Sequence, residues 1–319
     1  GGRTLNIRPD LSGSGLPHVR VNLTPAATGR IRLSVDGPYV VRPVDDDRIV
    51  GRGARLAEVD VDVTPIGFRF GGEEYRVSRV EIVPETSPGI WVNGHKYRGS
   101  VRLYRRPQGT LLAVNSVPLE DYIASVVDSE MPAVFPDDAR RAQAIAARTY
   151  VLYQMNAVSP QSPFDVYAST RSQKYLGAEY RDADGRRFAG ESANSRQIAL
   201  ETAGLVCTWR GRLFCTYYSA VCGGRTTPGK SVFTDAADLL ESVECRWCRA
   251  ADRYRWTSRV SRDEASDAVG RYFRESGKPF GRLASIARAG NPQGAVALFE
   301  VSDGRGRRTI SATALVRCV

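Results

Sequence analysis

The chain has 319 residues, enough for one large domain or two modest ones with a core of their own. Its 45 Lys and Arg against 35 Asp and Glu give a formal charge of +10, which suits a polyanion: nucleic acid, an anionic membrane surface or an acidic wall polymer. The excess is Arg scattered along the chain rather than gathered in a run, so nucleic acid is disfavoured, and no apolar stretch reaches the ~18 residues of a membrane span. The chain opens at Gly1 with neither a methionine nor an apolar leader, as a processed or trimmed export precursor does and as any artificially cut chain does equally. Only two histidines are present, His18 after Pro17 in a loop and His95 in a Gly94-His95-Lys96 turn. That excludes an H-E-x-x-H zinc helix and disfavours a histidine-based triad, so both read as packing or surface residues.

From Leu5 to about Leu112 the chain consists of short alternating segments broken by Gly, Pro and Asp, such as Ile31–Val35 and Val59–Val63. That pattern predicts strands joined by hairpin turns. Gly51-Arg52-Gly53 lacks the Lys-Ser/Thr and the helix of a phosphate loop, and reads as one such turn. A helix pair follows, about 118–131 and 137–155. In the first, Leu119, Ile123, Val126, Val127 and Met131 recur at spacings of three and four. Pro136, Asp137 and Asp138 open the second, whose Ala139, Ala142, Ala146 and Ala147 permit close approach to a neighbour. A polar stretch covers Ser169 to Gly190, a third helix Ala193 to Thr202, and a hairpin Leu205 to Tyr218. Ser261-x-x-Glu264 is a capping box for a fourth helix running through Val269, Tyr272 and Phe273 to about Ser276, and alternation from Ala295 to Val301 suggests a closing strand pair. The fold class is α+β, mostly short antiparallel strands with the core helix pair and two or three further helices. A β-rich region, 1–112, precedes a core of 113–319.

Glu130 falls three and four residues past Val127 and Val126, on or beside the apolar stripe of the first helix. A carboxyl held against apolar surface resists ionisation, and so fits a general acid in a cleft. A frayed helix end pointing to water is the alternative, and periodicity leaves both open. Gln143 and Arg148 are polar residues embedded in the small-residue surface of the second helix: a solvated face, or groups that meet a sugar or, for Arg148, Glu130. The six cysteines, Cys207, Cys215, Cys222, Cys245, Cys248 and Cys318, are an even count and favour disulfides. Cys207 and Cys215 flank a turn at Trp209–Arg212, across which they would face each other. The rival is a thiolate zinc site, because Cys245-Arg246-Trp247-Cys248 has ligand spacing and Cys222 precedes Gly223-Gly224.

Three ordered blocks resemble the SpoIID/LytB family of bacterial cell-wall proteins. The first is Asn115, Val117, Leu119, Glu120 and Tyr122, then Glu130-Met131-Pro132, then Ala142-Gln143-Ala144 with Ala146-Ala147-Arg148-Thr149-Tyr150. The second is Ser172-Gln173-x-Tyr175-x-Gly177, followed by Ala203-Gly204. The third runs from Tyr218 and Ser219 through Cys222-Gly223-Gly224 to Thr226. Gly94–Gly99 resembles a strand that precedes the family core, so the likeness runs across residue 113.

The resemblance implies a peptidoglycan lytic transglycosylase that cleaves between N-acetylmuramic acid and N-acetylglucosamine and leaves 1,6-anhydro ends. Glu130 is then the single acid/base, where ordinary glycosidases use two carboxylates. Gln143, Arg148, Ser219, Gly223, Gly224 and Thr226 are the implied substrate-binding residues, the Gly-Gly loop sharing a cleft with Glu130. No cofactor is required; a structural zinc on Cys222, Cys245 and Cys248 ranks behind disulfides, and no residue would use it for bond cleavage. The zinc site of His and Cys that some relatives carry before the Q-x-Y-x-G step is not matched, since Ser172 stands there without a His. The partners implied are glycan strands and a wall amidase, in an extracytoplasmic location. The family's other branch implies a non-catalytic amidase enhancer or a glycan-binding wall protein.

Overall fold

The computed structural model describes residues 17–315 apart from Pro25, Ala27, Trp256, Ser276, 290–296 and Thr313. Cys318, the expected strand start at Leu5, the helix end at Ser276, and Ala295 and Val296 of the closing strand lie outside the described residues. The chain forms two compact units that divide between Thr216 and Tyr217. Strand Leu111–Pro118 therefore crosses residue 113 inside the first unit.

The first unit holds two sheets. The seven-stranded sheet has the order Val166–Tyr167, His18–Asn22, Leu111–Pro118, Ser100–Arg105, Arg79–Pro84, Tyr39–Pro43, Gly51–Gly53. All its neighbours are antiparallel except the pair formed by His18–Asn22 and Val166–Tyr167. The eight-stranded sheet is antiparallel throughout, in the order Arg187–Ala189, Glu179–Arg181, His95–Tyr97, Ile90–Val92, Arg30–Val35, Leu56–Thr64, Gly67–Phe70, Glu73–Tyr75.

Alternation explains the pairing. Ile31, Leu33 and Val35 are buried, while Arg30 and Arg32 between them point out and meet Asp60, Asp62 and Glu58 of the next strand at 3.3–3.5 Å. Such exposed pairs set register more than stability, at about 0–1 kcal/mol each. Strand Leu111–Pro118 is buried along nearly its whole length and runs through Pro118 directly into helix α1 (Leu119–Glu130), with no loop between. Helix α1 packs against its own strand, against α2 (Asp137–Ala157) and against α3 (Ala193–Glu201), whose N-terminus is closed by reciprocal Ser192–Ser195 hydrogen bonds.

Several local readings are corrected. His95 lies in strand His95–Tyr97; the turn is Asn93-Gly94, both at positive φ as a two-residue hairpin turn requires. His18 opens a strand. Gly51–Gly53 is an edge strand whose glycines leave room for the rings of Tyr75 and Tyr39, which a Cβ would meet at 2.7 Å. The polar stretch 169–190 contains the hairpin Glu179–Arg181/Arg187–Ala189, held by a stack of His95, Tyr180 and Phe188 rings that Arg-rich flanks conceal.

In the second unit α4 (Arg262–Glu275) carries the expected Ser261–Glu264 capping box. Its Val269 and Phe273 pack with Phe280, Leu283, Val301 and Ile310 over the sheet Ser285–Arg288, Leu298–Ser302, Arg307–Ser311. No helix among the described residues is long and apolar enough to cross a membrane.

Glu81 is 3% exposed in the seven-stranded sheet, and accepts hydrogen bonds from Ser100 Oγ (2.6 Å), Arg102 Nε (2.9 Å) and Arg42 Nε (3.0 Å). Burial alone would push its carboxyl up; the bonds from Ser100, Arg102 and Arg42 outweigh that and hold it below the ordinary glutamate range. A depressed acid contributes stability that is complete above its unfolded pKa and is lost as pH falls through the folded one. The stability of the wild type is therefore expected to decline from about pH 5 downward, and Glu81→Gln, weaker at neutral pH, to decline less steeply. Denaturation midpoints measured across that range check both limbs.

Candidate active site

Glu130 is the last residue of α1. The helix is enclosed from Tyr122 to Val127, burial lapses at Asp128, and Glu130 is half-buried before the chain turns out through exposed Pro132–Asp138. Its Oε1 accepts the backbone N–H of Lys174 at 2.6 Å. The apolar stripe thus brings Glu130 to the helix end, and a single amide fixes one carboxylate oxygen there.

The segment that supplies the amide is docked on α1 by alternate residues. Gln173, Tyr175 and Gly177 are buried while Lys174 faces out. Tyr122 Oη donates to Gln173 Oε1 at 3.1 Å, Ser125 Oγ donates to the Gly177 carbonyl at 2.8 Å, and the Tyr175 ring lies 5.1 Å from that of Tyr122 and 5.6 Å from that of Tyr97. Tyr175 Oη donates to Asn115 Oδ1 at 2.8 Å, and Asn115 Nδ2 donates to the carbonyls of Arg98 and Ser100. Burial pushes the Tyr175 phenol well above its ordinary range, so it stays a donor. Gly177 has φ +80°, and a Cβ there would stand 2.4 Å from the Lys96 carbonyl oxygen.

Arg148 does not pair with Glu130. Its side chain is wholly buried, with Nε and Nη2 on the two Glu120 oxygens at 3.0 and 2.6 Å. Its remaining hydrogen bonds go to the carbonyls of Ala199 and Leu205 and to Thr202 Oγ1, at 3.0–3.2 Å. Arg140, 1% exposed, repeats the arrangement about two helical turns away, bonded to Asp128 of α1 and Asn194 of α3. Gln143 is 9% exposed and its Nε2 has no hydrogen-bond partner; neither has the buried Ser129 Oγ next to Glu130. An open groove of about 810 Å³ is lined by Thr28, Arg30, Asp62, Thr64, Arg69 and Glu74, none of them a candidate residue.

The other candidates belong to the second unit. Ser219 and Gly223 are exposed. Thr226 serves its own loop, its Oγ1 accepting the Val243 N–H at 2.8 Å. Gly223 and Gly224 have φ of +67° and +105°. Cys207, Cys222, Cys245 and Cys248 are free thiols, so neither the expected Cys207–Cys215 pairing nor a disulfide within the Cys222, Cys245 and Cys248 group is formed among the described residues. Cys207 lies just outside the short hairpin Thr208–Trp209/Arg212–Leu213, and Cys215 instead accepts a hydrogen bond from Gln154 Nε2 at 3.6 Å. Cys222, Cys245 and Cys248 converge, with Sγ separations of 3.5 Å (222–248) and 3.9 Å (245–248), well beyond the ~2.05 Å of a disulfide.

Residues 107–209, which contain all of α1, α2, α3 and the docked Gln173–Gly177 segment, match the sequence family described as Stage II sporulation protein, SpoIID. Residues 107–209 thus carry a domain of the SpoIID family. A protein of Brachyspira hyodysenteriae is 34% identical over 254 residues, covering 80% of this chain and 65% of its own length. Stage II sporulation protein D of Bacillus subtilis is 26% identical over 182 residues, and that of Bacillus amyloliquefaciens 29%, each over 54% of this chain. The chain spans only half the length of these two Bacillus relatives.

Periodicity located Glu130 but not its partner, because a backbone amide leaves no side-chain signature; the only hint was Gln173-x-Tyr175-x-Gly177. Glu120, Asp128 and Arg140 went unassigned as ordinary helix-surface charges. Replacing Arg148 with Ala leaves the Glu120 carboxylate and two carbonyls without their donor, and is expected to cost about 3–5 kcal/mol of stability by chemical denaturation. The double variant Glu120→Gln/Arg148→Met is expected to recover much of that loss, because no unpaired charge remains.

Proposed function

We propose that this chain is the glycan-cleaving part of a peptidoglycan lytic transglycosylase, acting outside the cytoplasm on wall glycan strands. The observation that carries the reading is Glu130, a carboxylate at the end of an enclosed helix with one oxygen engaged by the Lys174 amide. Two Bacillus relatives are named for sporulation, and the match of residues 107–209 to the SpoIID family supports a role in the cell wall.

In this reading Glu130 carries its proton on Oε2, since Oε1 is occupied by the Lys174 N–H. The protonated acid delivers the proton to the glycosidic oxygen between N-acetylmuramic acid and N-acetylglucosamine. The resulting carboxylate takes the proton of the muramic 6-hydroxyl as that oxygen closes on the anomeric carbon, leaving a 1,6-anhydro ring and a regenerated acid. Intramolecular attack replaces the water, and with it the second carboxylate, of a hydrolase. Gln143 Nε2, buried and unpartnered, supplies a donor for a sugar hydroxyl or acetamido oxygen. Arg148 acts through the position of α1, as a positioning residue.

Glu130→Gln keeps shape and removes the titratable proton. It is expected to abolish anhydromuramic ends, scored by mass spectrometry of digested strands, while folding is unchanged. Lys174→Ala, which keeps the amide, is expected to be near wild type, and Lys174→Pro, which removes it, to lose about 10²-fold through misplacement of the carboxylate. Turnover by Glu130→Gln at the wild-type rate would remove the assignment. Unchanged strands together with acceleration of a wall amidase would make the chain an enhancer instead.

A further inference from the structure

We propose that Cys222, Cys245 and Cys248 form a zinc site that fastens the Gly223–Gly224 loop to the Cys245–Cys248 turn. This site lies wholly in the second unit and does not depend on the glycan-cleaving reading.

Four ligands at the ~2.3 Å of a zinc–sulfur bond in a tetrahedron stand about 3.8 Å from one another. The observed separations of 3.5 and 3.9 Å bracket that figure, and all three sulfurs lie within 4.8 Å of one another. Disulfide geometry is far shorter and can take up only two of the three. The three thiols also stand as an isolated set, with no fourth His, Cys, Asp or Glu among the described residues joining them. A non-protein donor such as water completes the tetrahedron.

The backbone brings the two arms together. The positive φ of both Gly223 and Gly224 turns the chain just after Cys222, and a Cβ on Gly224 would meet Tyr254 Oη at 2.7 Å. The two arms also pair with each other before the sulfurs meet. Arg225 bridges Glu244, the Cys245 N–H donates to the Gly224 carbonyl at 2.9 Å, and the Thr226 N–H donates to that of Val243 at 2.9 Å. Each arm thus presents its cysteine at the end of a short antiparallel ladder.

Soft thiolates select zinc over hard dications. Loading converts three thiols to thiolates and releases their protons to solvent, giving a centre of net charge −1. Arg225, Arg246 and Arg249 flank the ligands in sequence and suit that charge.

The test uses the full chain purified from zinc-supplemented medium. Metal content is read by plasma mass spectrometry, and each cysteine by alkylation and peptide mass spectrometry before and after a chelator and, separately, after a reductant. One zinc per chain is expected, with Cys222, Cys245 and Cys248 blocked until chelation and Cys207 indifferent to it. Cobalt(II) added to the stripped chain should give thiolate charge-transfer absorption. Cys245→Ser should abolish loading and Cys207→Ser preserve it. Alkylation that requires reduction would show a disulfide, and free alkylation without bound metal would show bare thiols; either overturns the site. The wild-type measurements decide the matter even where Cys245→Ser does not fold. Glu130→Gln should load zinc normally, so failure here is separable from failure of the glycan reading.

Discussion

Two buried arginines decide where the helices of the first unit lie. Arg148 and Arg140 project from α2, and each ties a carboxylate of α1 to polar groups of α3 or of the chain just beyond it. Neither guanidinium has appreciable contact with water. A buried ion pair adds little net stability over an apolar contact, but breaking one partner strands the other, so the arrangement penalises every alternative register of the three helices. Alanines along α2 permit the approach, and the arginines fix how far along the axis it occurs. The planar fork of Arg suits this task, because Arg148 uses three nitrogens on five acceptors from three segments.

The same framework carries Glu130. Strand Leu111–Pro118 is buried and continues into α1 without a loop, so the helix axis is set by the sheet at one end and by the arginine pairs along its length. Onto this helix the Gln173–Gly177 segment docks by alternate residues, and the amide between the first two inward side chains reaches Glu130. Sheet, helix and docked segment therefore converge on one carboxylate oxygen. Asn115 links them, since it accepts from Tyr175 and donates to two carbonyls of the neighbouring strand region.

Residues whose burial follows a period were legible in the sequence. The alternation at Ile31–Val35, the three-and-four spacing before Glu130 and the Ser261–Glu264 cap each encode a local geometry that the fold keeps. What periodicity cannot encode is a long-range polar contact. Glu120 and Arg148 look like surface charges on two amphipathic helices, and only packing makes them a buried pair. The hairpin around Gly185 was hidden for another reason: its strands are three residues each, Arg-rich and stabilised by ring stacking on His95 rather than by an apolar face. The cysteine count favours disulfides because parity carries no distance; the spacing of Cys245 and Cys248 already offers a thiolate pair, and the short ladder between Arg225 and Glu244 is what brings Cys222 to it.

The Lys174 amide that holds Glu130 also sets which substitutions the contact tolerates. A side-chain donor at that distance would tie the contact to one residue type, whereas a backbone amide orients Oε1 and leaves residue 174 free to vary as long as its N–H remains. The specificity is displaced onto Gln173, Tyr175 and Gly177, whose burial fixes the direction in which the amide points. Arg148, the strongest cation near this layer, is meanwhile occupied by Glu120 and three oxygen acceptors beyond it. The arrangement holds a carboxyl in place with no ion pair of its own among the described residues, its position set by packing of the neighbouring segment instead.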